Sequence, residues 1–188
     1  MLVEFFKYIS RRFDAVVFGI EYTGYGPTRE SHTPSMEQTY DDVACGIDHV
    51  RQAEPTLPMV VWSRSMGCAP ALRALAEAGQ NACAGLILES PFLSPLMTVV
   101  PFRLFFETDF ENIDEISKLS KVPILFIHGD CDTVVPSWHT EKLYELYTNG
   151  PKELVIVHGG KHNDLFSKHR SFVESKLDSF VYMYIVKE

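Results

Sequence analysis

Short unbroken apolar runs alternate along this chain with longer stretches in which apolar residues recur every three or four positions. The runs are rich in β-branched and aromatic residues, the signature of strands buried on both faces of a parallel sheet. They predict strands over Ala15–Ile20, Met59–Trp62, Ala84–Leu88, Val122–Ile127 and Glu153–Val157. The helical stripes lie between them. Residues 2–13 read as the end of an amphipathic helix, and Tyr22–Pro27 as a loop of turn formers. Ser35, with Gln38 three places on, offers a capping box. The helix it opens carries Tyr40, Val43, Ala44, Ile47 and Val50 on one face, and Pro55 and Pro58 end it. Further helices are predicted over Met66–Ala78, Ile113–Leu119, His139–Tyr147 and Asp164–Tyr184. Strand alternating with helix throughout implies an α/β fold in three layers, a mostly parallel sheet with helices on both faces. No repeat or linker divides the chain, so one domain is expected over 1–188, with a small apolar insert near 91–112.

Sheets of this kind carry their chemistry at the carboxyl ends of the strands. The strand at Met59–Trp62 runs into Ser63-Arg64-Ser65-Met66-Gly67 and then into an alanine- and leucine-rich helix. That is the context of a nucleophile elbow, a tight strand-to-helix turn that holds a serine hydroxyl out at the sheet end. The residue two before the nucleophile is usually glycine; here it is Ser63, small enough to be tolerated. A serine needs a base to take its proton, and the base needs an acid to orient it. The run Val122–Ile127 closes on His128-Gly129-Asp130-Cys131-Asp132, which offers two acids just past a strand end, Asp130 and Asp132. The last predicted strand is followed by Gly159-Gly160-Lys161-His162-Asn163-Asp164. His162 therefore stands third in the order serine, acid, histidine expected of elbow hydrolases.

The other candidates have plainer readings. Asp130 suits a turn former, since Asp hydrogen-bonds readily to nearby backbone. His128 and His158 sit at strand ends and read as satisfied structural groups, whereas His139, at a helix start, is expected to face solvent. None of the histidines has H-E-x-x-H spacing and no cysteines form a C-x-x-C pair, so neither a metal nor a cofactor is expected.

At 188 residues, 46% hydrophobic and 22% charged, the chain has ample material for a core. Its net charge of −8 and lack of a basic cluster argue against a nucleic-acid partner. Cys45, Cys68, Cys83 and Cys131 are scattered and read as reduced thiols of a cytoplasmic protein. Met1–Lys7 does not read as a secretory signal, and no apolar run is long enough to span a bilayer. Pro91–Phe106 and Phe180–Val186 are apolar; the first could line an acyl pocket, make peripheral contact with a membrane, or simply pack. Oligomeric state has no signal in the sequence.

Taken together, Glu21-Tyr22-Thr23-Gly24-Tyr25-Gly26, Ser63-Arg64-Ser65-Met66-Gly67, Ser90-Pro91-Phe92, His128-Gly129 before Asp132, and Gly160-Lys161-His162-Asn163-Asp164 resemble the α/β-hydrolase superfamily. Within it the chain is most similar to the α/β-hydrolase-domain-containing 17 group and its prolyl-oligopeptidase-like relatives, from Phe13 to the last helix. Matched position by position, the resemblance implies Ser65 as nucleophile, Asp132 rather than Asp130 as acid, and His162 as base. It also implies an acyl-protein thioesterase, with palmitoyl groups on membrane-bound proteins or small acyl esters as substrates. A serine peptidase is the alternative enzyme.

One departure bears on activity. The family's early strand ends in a His-Gly segment that completes the oxyanion hole, and nothing upstream of Ala15 matches it. The expectation is an N-terminally truncated version of the fold, with an open sheet edge. One oxyanion donor remains, the backbone N–H of Met66, and losing the other typically lowers kcat by about 10²–10³. A silent protein that keeps the three side chains and binds a partner is the reading this departure favours.

Overall fold

The computed structural model describes residues 2–79, 82–99 and 110–186. Four of the predicted strands form one parallel sheet in chain order: β1 (Val60–Arg64), β2 (Gly85–Glu89), β3 (Ile124–Gly129) and β4 (Lys152–Val157). The register sets Arg64 beside Glu89, Glu89 beside Ile127, and Gly129 beside Val157, so the strand ends form one rim.

Side chains alternate across each strand, and the two sets enter different cores. Leu86, Leu88, Ile124 and Phe126 pack with Val43 and Ile47 of α2 (Met36–Ala53), Leu72 and Leu75 of α3 (Cys68–Ala78) and Leu143 of α5 (Trp138–Leu146). Ile87, Leu125, Ile127, Val155 and Val157 pack with Val173, Leu177 and Phe180 of α7 (Arg170–Tyr184). The layers are thus helix, sheet and helix, as the period change along the sequence requires. On the second face α1 (Leu2–Phe13) lays Phe5 edge-on against Trp62 of β1, ring centroids 5.0 Å apart.

Local signals act where they were read. Ser35 Oγ caps α2 by accepting from the Gln38 N–H at 3.1 Å. The Gln38 side chain reaches forward to Asp42 at 3.2 Å instead of closing the box. Short helices α4 (Asn112–Glu115) and α6 (Leu165–Lys168) complete the set. The apolar insert at 91–112 is seen at its two ends, because residues 100–109 lie outside the described residues. Phe92, Leu93 and Ser94 are buried at one end, Phe110 and Asn112 at the other. The ends are tied by Asn112 Nδ2 donating to the Phe92 carbonyl at 2.7 Å and Ile113 N–H to that of Leu93 at 3.0 Å.

Three expectations are corrected. Ala15–Ile20 is not a strand, and it is not buried: Val16, Phe18 and Ile20 are 57%, 40% and 42% exposed. A strand exists only through a ladder neighbour, and no described segment pairs with this one. The predicted final helix is broken at His169 into α6 and α7. His139 is fully buried rather than solvent-facing, because α5 packs its start against the loop after β2, where His139 Nδ1 accepts from the Leu93 N–H at 3.2 Å. Among the described residues no helix is long and apolar enough to cross a membrane.

Candidate functional site

Each element of the site begins at a strand end. β1 stops at Arg64, and the next residue, Ser65, has φ +50°, a left-handed conformation that a side chain adopts only at a cost. A single 3-10 turn, Ser65–Gly67, then feeds α3. The strained φ lifts the hydroxyl off the sheet plane at the head of the helix. Ser63 is accommodated because its side chain turns inward: it is buried, with Oγ 3.5 Å from the Ile87 carbonyl. Gly67 lies close to the 22–27 loop: a Cβ there would meet the Tyr22 hydroxyl at 3.2 Å, tight enough that the tyrosine would have to shift. That tyrosine belongs to the 22–27 loop. Thr23 fixes the loop to α2 through Asp42, with the Thr23 N–H donating at 2.6 Å and its hydroxyl at 2.9 Å.

The loops after β3 and β4 meet backbone to backbone. A Cβ on Gly129 would lie 2.2 Å from the Gly160 carbonyl oxygen, so only glycine permits the contact. The Cys131 N–H donates to that same carbonyl at 2.9 Å. The two loops therefore share one anchor, and their acid and histidine converge.

His162 Nε2 lies 3.0 Å from Ser65 Oγ, and His162 Nδ1 lies 2.7 Å from Asp132 Oδ2. The other carboxylate oxygen, Asp132 Oδ1, accepts from the N–H groups of Val134 at 2.8 Å and Val135 at 2.9 Å. Burial works to raise the Asp132 pKa. The Val135 and Val134 N–H groups and the His162 ring outweigh it and hold the carboxyl below its ordinary value. His128 sits behind the acid, fully buried, with Nε2 3.2 Å from Asp132 Oδ2 and 2.8 Å from the Val135 carbonyl. Its Nδ1 meets the Thr140 hydroxyl at 2.5 Å. Burial pushes the His128 pKa down, which keeps the ring neutral. A hydroxyl, an imidazole and an ionised carboxylate in this order are what general-base activation of an alcohol requires.

Asp130, the other acid left open by spacing, turns away. It accepts from the Gly159 N–H at 2.7 Å and pairs with the exposed His158 ring at 2.7 Å, bracing the same two loops from outside. The backbone of Met66 lies in the turn at the head of α3, where the helix dipole is positive. The four cysteines are unpaired, and burial pushes the Cys68 and Cys83 thiols up to about 12, so both are neutral. Among the described residues no group of three His, Cys, Asp or Glu side chains could hold a metal ion.

Two residues at the rim have no signal in the sequence. Arg64 ends β1 just before Ser65, and Glu89 ends β2 beside it; their pairing follows from the register of two parallel strands and not from any local motif. Arg64 Nε is 3.5 Å from Glu89 Oε1, and the Trp62 indole donates to Glu89 Oε2 at 3.1 Å. Glu89 is buried, which raises its carboxyl pKa against the opposing pull of Arg64 and the indole hydrogen bond.

Comparison with known proteins agrees with this architecture. Residues 4–108 match the family model described as "Serine aminopeptidase, S33". "Uncharacterized protein YfhR" of Escherichia coli K12 is 30% identical over 172 residues, covering 88% of this chain and 60% of that protein. "Alpha/beta hydrolase domain-containing protein 17C" of Homo sapiens is 29% identical over 168 residues, covering 87% of this chain and 49% of its own length. The chain thus spans about half the length of the curated relatives it matches. Among solved structures, Est1E of Butyrivibrio proteoclasticus with bound ferulic acid superposes with a TM-score of 0.68 at 20% identity, over 89% of this chain and 76% of that one. The Pyrococcus furiosus esterase Pf2001 gives 0.66 at 18% identity, over 83% and 66%. At these identities the structural matches speak for the fold alone. With more than half of its residues inside the family model and a parallel sheet of this topology, the chain belongs to the serine aminopeptidase S33 family of the α/β-hydrolase superfamily.

Proposed function

We propose that this protein is a serine hydrolase that cleaves acyl esters or thioesters. Ser65 Oγ attacks the acyl carbonyl while His162 Nε2 takes its proton, and His162 returns that proton to the departing alcohol or thiol. Asp132 holds the ring with Nδ1–H toward itself and stabilises the imidazolium. The Met66 N–H donates to the oxyanion. Water, deprotonated by His162, then releases the acid from Ser65. The observation that carries this reading is the continuous path from Ser65 through His162 to Asp132, at 3.0 and 2.7 Å, with Ser65 strained at φ +50°.

The apolar composition of the insert at 91–112 favours a fatty acyl group over a polar one. Palmitoyl thioesters on proteins at a membrane are the substrate class implied by the resemblance to the domain-17 group. A peptidase is the second reading, favoured by the description of the matched family.

The test is turnover of short- and long-chain nitrophenyl esters, a palmitoyl thioester and an aminoacyl naphthylamide by the wild type and Ser65→Ala. Ester and thioester hydrolysis that falls by about 10⁶-fold in the variant is the expected result. Cleavage of the amide alone would make the enzyme a peptidase. A folded wild-type chain that turns over none of them would leave a binding protein.

A further inference from the structure

We infer that Arg64 is a positioning residue for the base: it clamps the His162 backbone to the strand that carries Ser65. The inference rests on the hydrolase reading above for its kinetic consequences, though its geometry does not depend on that reading.

The loop between β4 and α6 is anchored at each end by its own chain or its neighbour. At the start, the Gly160 carbonyl accepts from Cys131 at 2.9 Å. At the end, the Lys161 N–H donates to Asp164 Oδ1 at 2.6 Å. His162 lies between, and its side chain is committed to Ser65 and Asp132. Its backbone carbonyl accepts from Arg64 Nη2 at 2.9 Å, and the same nitrogen also donates to the Asn163 side-chain oxygen. One guanidinium nitrogen therefore grips two successive residues of the base loop while Nε of the same plane faces Glu89, a three-way geometry that lysine, with one compact ammonium, cannot reproduce.

The guanidinium is itself held. Its Nε faces Glu89 at 3.5 Å, and Glu89 is fixed in turn by the Trp62 indole. Trp62 lies two residues before Arg64 on β1, so both side chains leave the same face of the sheet. That face also carries Phe166 of α6, four residues past His162, whose ring lies 5.7 Å from Trp62 and 4.9 Å from Phe5. The strand leading into the serine is thus joined to the segment bearing the histidine twice, by Arg64 through polar contacts and by Trp62 through an edge-to-face ring contact with Phe166. Arg64 spans the gap closest to the reacting atoms. If it goes, the His162 carbonyl loses its partner and Glu89 is left buried without its counter-charge, while the hydrogen bonds of Asp132 to Val134, Val135 and His162 do not involve the Arg64 side chain. A displacement well under an ångström at a proton-transfer contact of 3.0 Å is enough to slow the chemical step.

The test compares the wild type with Arg64→Ala and Arg64→Lys, using active-site-titrated enzyme. The expected result is a kcat lower by about 10- to 100-fold in Arg64→Ala, with KM changed by less than about threefold. Arg64→Lys falls in between, and added guanidinium restores part of the Arg64→Ala rate. Independently of turnover, the downfield proton resonance of His162 Nδ1–H shifts or broadens in both variants while melting remains cooperative. Wild-type kcat, pH profile and Nδ1–H resonance in titrated Arg64→Ala would overturn the inference. If Arg64→Ala does not fold, the same wild-type behaviour in Arg64→Lys overturns it. A wild-type chain that hydrolyses nothing would count against the hydrolase reading alone, because the resonance still reports whether Arg64 holds the ring.

Discussion

Two apolar runs of similar composition meet opposite fates in this molecule. Val122–Ile127 becomes the central strand β3, paired on both sides, with Ile124, Leu125 and Phe126 fully buried. Ala15–Ile20 lies on the surface, with Val16, Phe18 and Ile20 exposed and no ladder partner among the described residues. The difference teaches that a run of β-branched and aromatic residues reports the ability to be buried. A neighbouring strand decides whether it is. All of the candidate chemistry gathers at the well-paired end of the sheet, in the loops that follow β1, β3 and β4. The poorly paired region contributes only indirectly, through Tyr22 and Thr23 beside the elbow.

Substitutions at the two regions should therefore differ in kind as well as in size. Short of removing the nucleophile itself, the largest effect is expected from Asp132→Asn, which leaves the Val134 and Val135 contacts possible but favours the wrong His162 tautomer. Turnover should fall by about 10⁴-fold while the melting temperature moves little. Next is Phe126→Ala, which empties a fully buried site in the inner face of β3 and should lower stability by about 3–5 kcal/mol in denaturant titration. Gly129→Ala forces a methyl into the Gly160 carbonyl, and the two loops must part. We expect a loss of about 3 kcal/mol together with loss of serine labelling, because the acid and the base no longer converge.

Acid stability isolates a further buried group at the paired end. Burial and the neighbouring His128 push the His139 pKa down from 6.5 to about 4. The unfolded chain takes up a proton at this residue below about 6.5 and the folded chain does not, so stability is fully present above that pH and falls as pH drops toward 4. The full loss is about 3 kcal/mol. Measured stability against pH should show this limb, and His139→Gln should flatten it. Asp132 adds a loss in the same direction at lower pH: its carboxyl is also held low, and its contribution disappears as the folded carboxyl protonates. The smallest effect is expected in the exposed segment: Phe18→Ala should change stability by less than about 0.5 kcal/mol. A loss comparable with that of Phe126→Ala would mean that the segment is covered in solution, and the contrast between the two runs would fail.

Much of this layout was legible in the chain. The alternation of apolar runs with helical stripes gives four of the strands and the helices between them. Ser65, then a carboxylate, then His162, each just past a strand end, are brought together in that order. The choice between Asp130 and Asp132 was not legible from spacing, because two acids one residue apart in a tight turn point in opposite directions. In the fold, Asp130 faces His158 and Gly159 while Asp132 faces His162. The burial of His139 is hidden for a related reason: helix periodicity does not reveal that a loop as distant in sequence as Leu93 covers the helix start. The Arg64–Glu89 pair depends on strand register, which no local pattern encodes.

The most direct test of the central claim is fluorophosphonate labelling followed by intact-mass measurement and peptide mapping, on the wild type beside Ser65→Ala and His162→Ala. The account predicts one adduct, on Ser65, absent from the first variant and formed orders of magnitude more slowly in the second. A cooperatively folded wild-type chain that takes up no label, or a Ser65 that labels equally fast without His162, would contradict it.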